Sequence, residues 1–232
     1  MVQTLTAITA WSYSRFACYA LCPLQFKFKH IDKLPTPGSP AMQRGNEIHV
    51  GTANYLKGAA AGLPKEVLAN PVITDLVQQI HAFPNKEIEQ QWGYGAHWEP
   101  TGWFDRGNAK VWFRSVLDVG VMYEDLTFEA IDWKTGKRYG SNEEQMETQA
   151  IAIFQRFKPV THVTTRLAYV DEKGNNPFEF YEFKAVQLQN LKDKWTKKVQ
   201  PMFNDTIFAP RPNEKCRFCD FSKSKGGQCA FG

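Results

Sequence analysis

The sequence predicts an α/β protein, a small mixed sheet flanked by helices, and three observations carry that expectation. Strand-like segments fall near 86–92, 110–122, 127–134, 163–171 and 178–184, with helical patterns before, between and after them. A hairpin lies at the centre, where VWFRSVLDVGV and FEAIDWK are apolar runs joined by a polar turn at Glu124 and Asp125. The chain has 232 residues, of which 43% are hydrophobic and 14% aromatic, enough to bury a sizeable core.

The hairpin also carries the chemistry. Asp118 sits between Leu117 and Val119, and Asp132 between Ile131 and Trp133, where desolvating an unpaired carboxylate costs several kcal/mol. Such groups need a cation. Alternation along the second strand puts Asp132 and Lys134 on one face, and the hairpin register sets Asp118 opposite or diagonal to Asp132. Two carboxylates and an ammonium converging on one point outline a metal-dependent hydrolase site.

The other elements follow in order. Ser12–Ile31 opens with Ser12 as a helix N-cap, and its helical spacing breaks at Cys22-Pro23. LPTPGSP (34–40) is a turn; Ser39-Pro40 then starts a helix that carries Gly45 and His49 one turn apart. Residues 64–84 continue the helical pattern. In KEIEQQW, Glu87 and Glu89 share one side; either could reach a site, and a solvated face is the favoured reading. Residues 93–108, rich in Gly, Trp and His, form an irregular loop. Its Trp98, Trp103 and Phe104 are core residues, or rings on which bases could stack.

Asn142 begins a helix with acidic first-turn residues, placing Gln145 and Gln149 one turn apart, with Ile151, Phe154 and Phe157 directed inward. Two strands around the turn EKGNNP (172–177) and a lysine-bearing helix over 186–203 follow, that basic face being solvated or in contact with a DNA backbone.

The C-terminal stretch is short of core residues and needs a staple. Cys216, Cys219 and Cys229 form C-x2-C-x9-C, and the close pair can turn both thiolates to one metal. Cys22, with Cys18 as the alternative, supplies a fourth ligand and ties residues 206–232 to residues 12–30. Four thiolates suit zinc or an iron–sulfur cluster alike.

Net charge is +4 and the isoelectric point near 8.7, mild support for a polyanionic partner. No apolar run reaches the roughly 20 residues of a membrane span, and the first residues lack a signal-peptide pattern, so a cytoplasmic protein without membrane contact is expected.

Taken together, SYSRFACYALCPLQFKF, RGNEIH, VLDV, IDWKTGK, QMETQAIAIF and CRFCDF with its later Cys resemble the PD-(D/E)XK nuclease superfamily. The similarity is to its RecB-like branch, with the CRISPR-associated iron–sulfur exonucleases and their phage-encoded relatives. The resemblance implies a single nuclease domain: a helical part over 1–85, a catalytic core over 86–205 and a cysteine tail over 206–232. It implies His49, Asp118 and Asp132 as ligands for Mg2+ or Mn2+, with the Ile131 carbonyl as an extra donor. Lys134 would stabilise charge at the scissile phosphate, and Gln145 would orient Lys134 or the DNA. Cys22, Cys216, Cys219 and Cys229 would hold a four-iron, four-sulfur cluster.

The activity implied is an exonuclease on single-stranded or free-ended DNA, with endonuclease action possible. The setting would be a prokaryotic or phage-infected cell, with a recombination or CRISPR-adaptation protein as partner. The alternative is a non-catalytic nuclease-like module that binds DNA or protein. Three features depart from the family pattern: Gln149 stands where a Tyr is common, the last cysteine gap is long and basic, and Cys18 is an additional thiol.

Overall fold

A computed structural model describes residues 8–138, 140–174 and 176–231. The first residues of the chain, and one position of the turn at 172–177, lie outside this range. Two compact units are present: residues 39–192, and residues 1–38 together with 193–232. Residues 39–85 therefore group with the sheet, not with the N-terminal helices, and 193–205 group with the cysteine tail.

The larger unit begins with α3 (Pro40–Leu56), following α1 (Tyr13–Leu21) and α2 (Pro23–Phe26) of the smaller one. Ser39 caps α3 by accepting from the Met42 N–H at 3.1 Å, with Pro40 in the first turn, as the sequence signals. The helical stretch predicted over 64–84 is two helices, α4 (Lys65–Leu68) and α5 (Pro71–Ala82). Asn70 breaks it, since its side chain accepts from the Ile73 N–H, and Pro71 cannot continue the preceding turn.

Six strands follow: β1 (Lys86–Tyr94), β2 (Pro100–Thr101), β3 (Phe113–Met122), β4 (Thr127–Lys134), β5 (His162–Tyr169) and β6 (Phe178–Lys184). Their order is β2-β1-β3-β4-β5-β6, and every pairing is antiparallel except β4 with β5. The parallel step is bridged by α6 (Glu143–Arg156), the helical crossover such a connection requires. Asn142 does not cap α6 with its side chain, which instead donates to Tyr169 Oη and Glu179 Oε2; Glu143 and Glu144 supply the favourable charge in the first turn.

The core of this unit packs Ile48, Leu56, Ile73, Val77 and Ile80 of the helices against Val119, Val121, Ile131 and Trp133. Burying five such aliphatic side chains contributes about 1.5–3 kcal/mol each before entropy is charged. On α6 every residue from Met146 to Gln155 is buried. Gln149 is 5% exposed and turns its side-chain amide toward the Val116 carbonyl of β3, at 3.5 Å. Phe157 lies just past the end of this helix and packs on Trp92 and Phe128.

In the smaller unit, Ser12 caps α1 as predicted, and Cys22-Pro23 separates α1 from α2, which runs into one π-helical turn at Lys27–Ile31. α7 (Leu188–Asn204) enters this unit after Lys192 and carries Trp195, which is fully buried. Trp195 stacks on Trp11 at 5.7 Å between centroids, with Phe16 edge-on at 5.4 Å. Lys198 Nζ lies 5.7 Å from the Phe16 centroid and 5.4 Å from that of Trp195, so one lysine of the basic helix covers aromatic rings. Among the described residues no helix is long and apolar enough to cross a membrane.

Candidate active site and a thiol-lined cavity

The site forms where the sheet divides. β3 pairs with β4 from Met122–Phe128 to Val119–Ile131, and the ladder then stops. Continuing that register sets Asp118 against Asp132. In place of the next ladder bond, Asp118 Oδ2 accepts the Trp133 backbone N–H at 3.1 Å, so the carboxylate satisfies the donor freed by the split.

Each neighbouring element adds one group. His49, from α3, places Nδ1 3.1 Å from Asp118 Oδ2. Gly45, one turn earlier, allows this approach: a Cβ there would stand 3.2 Å from Thr135 Oγ1 just beyond β4. Arg44 fixes the same helix by two bonds to Asp171, at 2.8 and 2.6 Å, and Asp171 also accepts the Gly136 N–H. From α6, Gln145 Nε2 donates to Asp132 Oδ1 at 3.1 Å, while its Oε1 accepts from Lys134 Nζ at 3.1 Å. Lys134 Nζ lies 2.9 Å from Asp132 Oδ2, closing a three-member ring of carboxylate, ammonium and amide.

The electrostatics follow from this crowding. Burial disfavours a charged His49, yet its bond to Asp118, the charges of Asp118 and Asp132, and a backbone bond at Trp133 together push it up to about 9. Ile131, whose carbonyl the resemblance names as an extra donor, pairs with Val119 in the last rung of the ladder before the split. Asp132 is pushed above the usual carboxylate range by burial, against the pull of Lys134, and the Asp118 charge pushes the same way.

The structure adds a residue the motif reading left on a solvated face. Glu89 of β1 lies opposite Asp118 by register, between the pairs Ile88–Val119 and Gln90–Leu117. Its φ is +52°, a left-handed conformation that costs a non-glycine residue about 1 kcal/mol or more. The same irregularity interrupts the alternation of β3: Leu117 shares a side with Gly120, toward Phe128, while Val119 packs in the core beside Ile131. Its result is that donor atoms of His49, Glu89 and Asp118 all lie within 4.8 Å of one another. Glu89 is pushed up by burial and by the Asp118 charge, with His49 and Lys57 opposing. Three hard or borderline donors at that spacing, with Asp132 adjoining, suit a divalent cation such as Mg2+ or Mn2+.

The second predicted site is in the smaller unit. Cys22, Cys216, Cys219 and Cys229 line one cavity of about 210 Å3, walled by Leu21, Leu24, Phe28, Phe221 and Phe231; Cys18 is not among its lining residues. The Arg211 N–H donates to Cys22 Sγ at 3.4 Å, and the Asn213 N–H to Cys216 Sγ at 3.3 Å. Burial pushes the Cys219 thiol up, with the nearby Cys229 and Cys22 adding to it. Cys18 is pushed up to about 11, again by burial first. The basic insertion before Cys229 folds back tightly: the Cys229 N–H donates to Phe221 O at 2.8 Å, and a Cβ at Gly227 would collide with the Phe221 backbone.

An α/β sheet split around paired aspartates, with a lysine two residues after the second, defines a nuclease-type core. The chain belongs to the PD-(D/E)XK nuclease superfamily, whose family profile matches residues 10–224. Among solved structures it is similar to SSO0001, with 14% identity, 98% of this chain and 89% of that one covered, and a TM-score of 0.46. It is also similar to a protein from Eubacterium rectale described as a candidate exonuclease, with 9% identity, coverage of 97% and 90%, and a TM-score of 0.49. No curated protein sequence matches it significantly.

Proposed function

We propose that this protein is a divalent-metal-dependent deoxyribonuclease, an exonuclease acting on single-stranded or free-ended DNA. The observation that carries this reading is the convergence of Asp118, Asp132 and Lys134 at the split between β3 and β4, with His49 and Glu89 completing a donor set. His49, Glu89, Asp118 and Asp132 would hold Mg2+ or Mn2+. A divalent ion held there neutralises phosphate charge and lowers the pKa of bound water.

The residues divide the remaining work. Lys134 offers a fixed ammonium to the scissile phosphate and to the attacking water, and charge placed in advance stabilises a transition state without reorganisation. Gln145 holds that ammonium by its Oε1 while its amide anchors Asp132, so the pair keeps its separation when DNA enters. Asp118 keeps its orientation through the Trp133 N–H.

Cys22, Cys216, Cys219 and Cys229 would hold a four-iron, four-sulfur cluster that staples the smaller unit. The one cavity lined by these four thiols, with the backbone N–H groups that donate to Cys22 and Cys216 sulfur, supports thiolate ligands; zinc is the alternative guest.

The test is cleavage of end-labelled single- and double-stranded DNA with Mn2+, Mg2+ or EDTA by wild type and Asp132→Ala. Metal-dependent degradation by wild type alone is expected, and the labels report polarity. DNA binding without cutting under any metal would make the protein a non-catalytic nuclease-like module.

A further inference from the structure

We propose that an open strip of the sheet beside the metal donors carries a single DNA strand, whose leading base stacks on Phe104. The proposal rests on the nuclease reading for its substrate class, but its observations are separate from the catalytic groups.

β3 presents two faces. Phe113 and Leu117 are buried, on the side where Tyr94 reaches the Ala152 carbonyl of α6 through its hydroxyl. Arg114 and Val116 alternate with them and point the other way. There the sheet is uncovered: Val116 is 45% exposed, and its cross-strand neighbour Gln91 is exposed as well. The strip ends at Arg114, four residues or about 13 Å along the strand from Asp118. That is about four nucleotides of a stacked strand at 3.4 Å each.

At its end the loop after β2 folds over the sheet. Gly93 lies opposite Arg114, and a Cβ there would collide with the Gly102 carbonyl, so glycine permits the loop to lie this close. The loop delivers Trp103 and Phe104 onto Arg114: its Nε donates to the Trp103 carbonyl at 3.1 Å, and its guanidinium lies 5.4 Å from the Trp103 centroid and 5.9 Å from that of Phe104. Phe104 is nevertheless 67% exposed. A large ring held over a cation with two thirds of its surface in water buries little in this fold, and beyond the Arg114 contact its packing requires no aromatic residue. Stacking with a base would use both the ring and the charge, since the guanidinium adds attraction for the strand's phosphates. Arg106 and Lys110 of the same loop are exposed and add charge of the same sign, while Asp105 is engaged by the Val111 N–H and Lys110. An unpaired strand, with bases free of a partner, is the occupant this geometry fits.

The experiment is fluorescence anisotropy in EDTA with a dye-labelled single strand of about 12 nucleotides, a duplex of the same sequence, and an abasic strand of the same length. Wild type, Phe104→Ala and Phe104→Tyr are compared. Phe104→Ala should bind the single strand roughly tenfold more weakly, within the range for one lost stacking contact. Phe104→Tyr should restore affinity, and the abasic strand and duplex should bind wild type and Phe104→Ala alike. Equal single-strand affinity for wild type and Phe104→Ala, an equal loss on the abasic strand, or no single-strand binding by wild type would each overturn the proposal. Because EDTA removes cleavage from the readout, a protein that never cuts DNA can still pass this test, so the two readings fail separately.

Discussion

The carboxylate site and the thiol-lined cavity use opposite strategies. In the first, the groups already hold one another: His49 to Asp118, Asp118 to the Trp133 N–H, and Gln145 between Asp132 and Lys134. Removing a cation leaves that lattice standing on a sheet with a large core. In the second, Cys216, Cys219 and Cys229 sit on a tail whose regular elements are short 3-10 turns, Cys22 lies between α1 and α2, and all four line one cavity. One unit positions its candidate ligands by folding, whereas on the proposed reading the other would need its guest to finish folding, as small metal-stapled units do. The difference teaches where damage should register: as lost chemistry in the larger unit, as lost structure in the smaller.

Substitutions sharpen that contrast. The largest effect is expected for Asp118→Asn, which should lower metal-dependent cleavage by roughly 10^3-fold or more while leaving thermal unfolding of the larger unit near wild type. Kinetics and calorimetry on one sample check both halves. Next comes Trp195→Ala, which empties a fully buried indole site between Trp11 and Phe16 and should destabilise the smaller unit by about 3–5 kcal/mol, read by denaturant titration.

On the proposed cluster reading, Cys216→Ser should lose the iron and sulfide content expected of wild type and expose the tail to protease, whereas Cys18→Ser should keep that content. An equal loss from both would erase the distinction between a lining and a neighbouring thiol.

The smallest effect concerns His30, held down to about 4 by burial and by Arg15 and Lys29. Unfolded, an imidazole titrates near 6.5. Between these values the unfolded chain binds more protons, so stability of the smaller unit falls as pH drops from about 6.5 toward 4 and is unaffected by this group above that window. His30→Gln should flatten the slope in thermal melts over that range.

Much of this was legible from residue order, and what was not has physical causes. The hairpin, its turn and the Asp132–Lys134 face were readable because strand periodicity is local, whereas His49 entered through the family resemblance carried by RGNEIH. Strand β4, Thr127–Lys134, and strand β6, Phe178–Lys184, lie where periodicity sets them. For Glu89 periodicity favoured a solvated face over reaching the site, because its place beside Asp118 depends on a left-handed residue that interrupts alternation in the middle of a strand. The split at Asp118, where a side chain replaces a ladder bond, was not readable. Asn70 hid a helix break inside one apolar pattern. Spacing and the resemblance singled out Cys22, Cys216, Cys219 and Cys229 with Cys18 as the alternative, and those four line one cavity of which Cys18 is not a lining residue.

The most direct test of the account compares wild type with Lys134→Met, measuring Mn2+ binding by calorimetry and cleavage of labelled single-stranded DNA in the same buffer. The account predicts that the variant still binds Mn2+ and has lost cleavage, because Lys134 acts on the phosphate and not on the ion. Cleavage at the wild-type rate by the variant would contradict it.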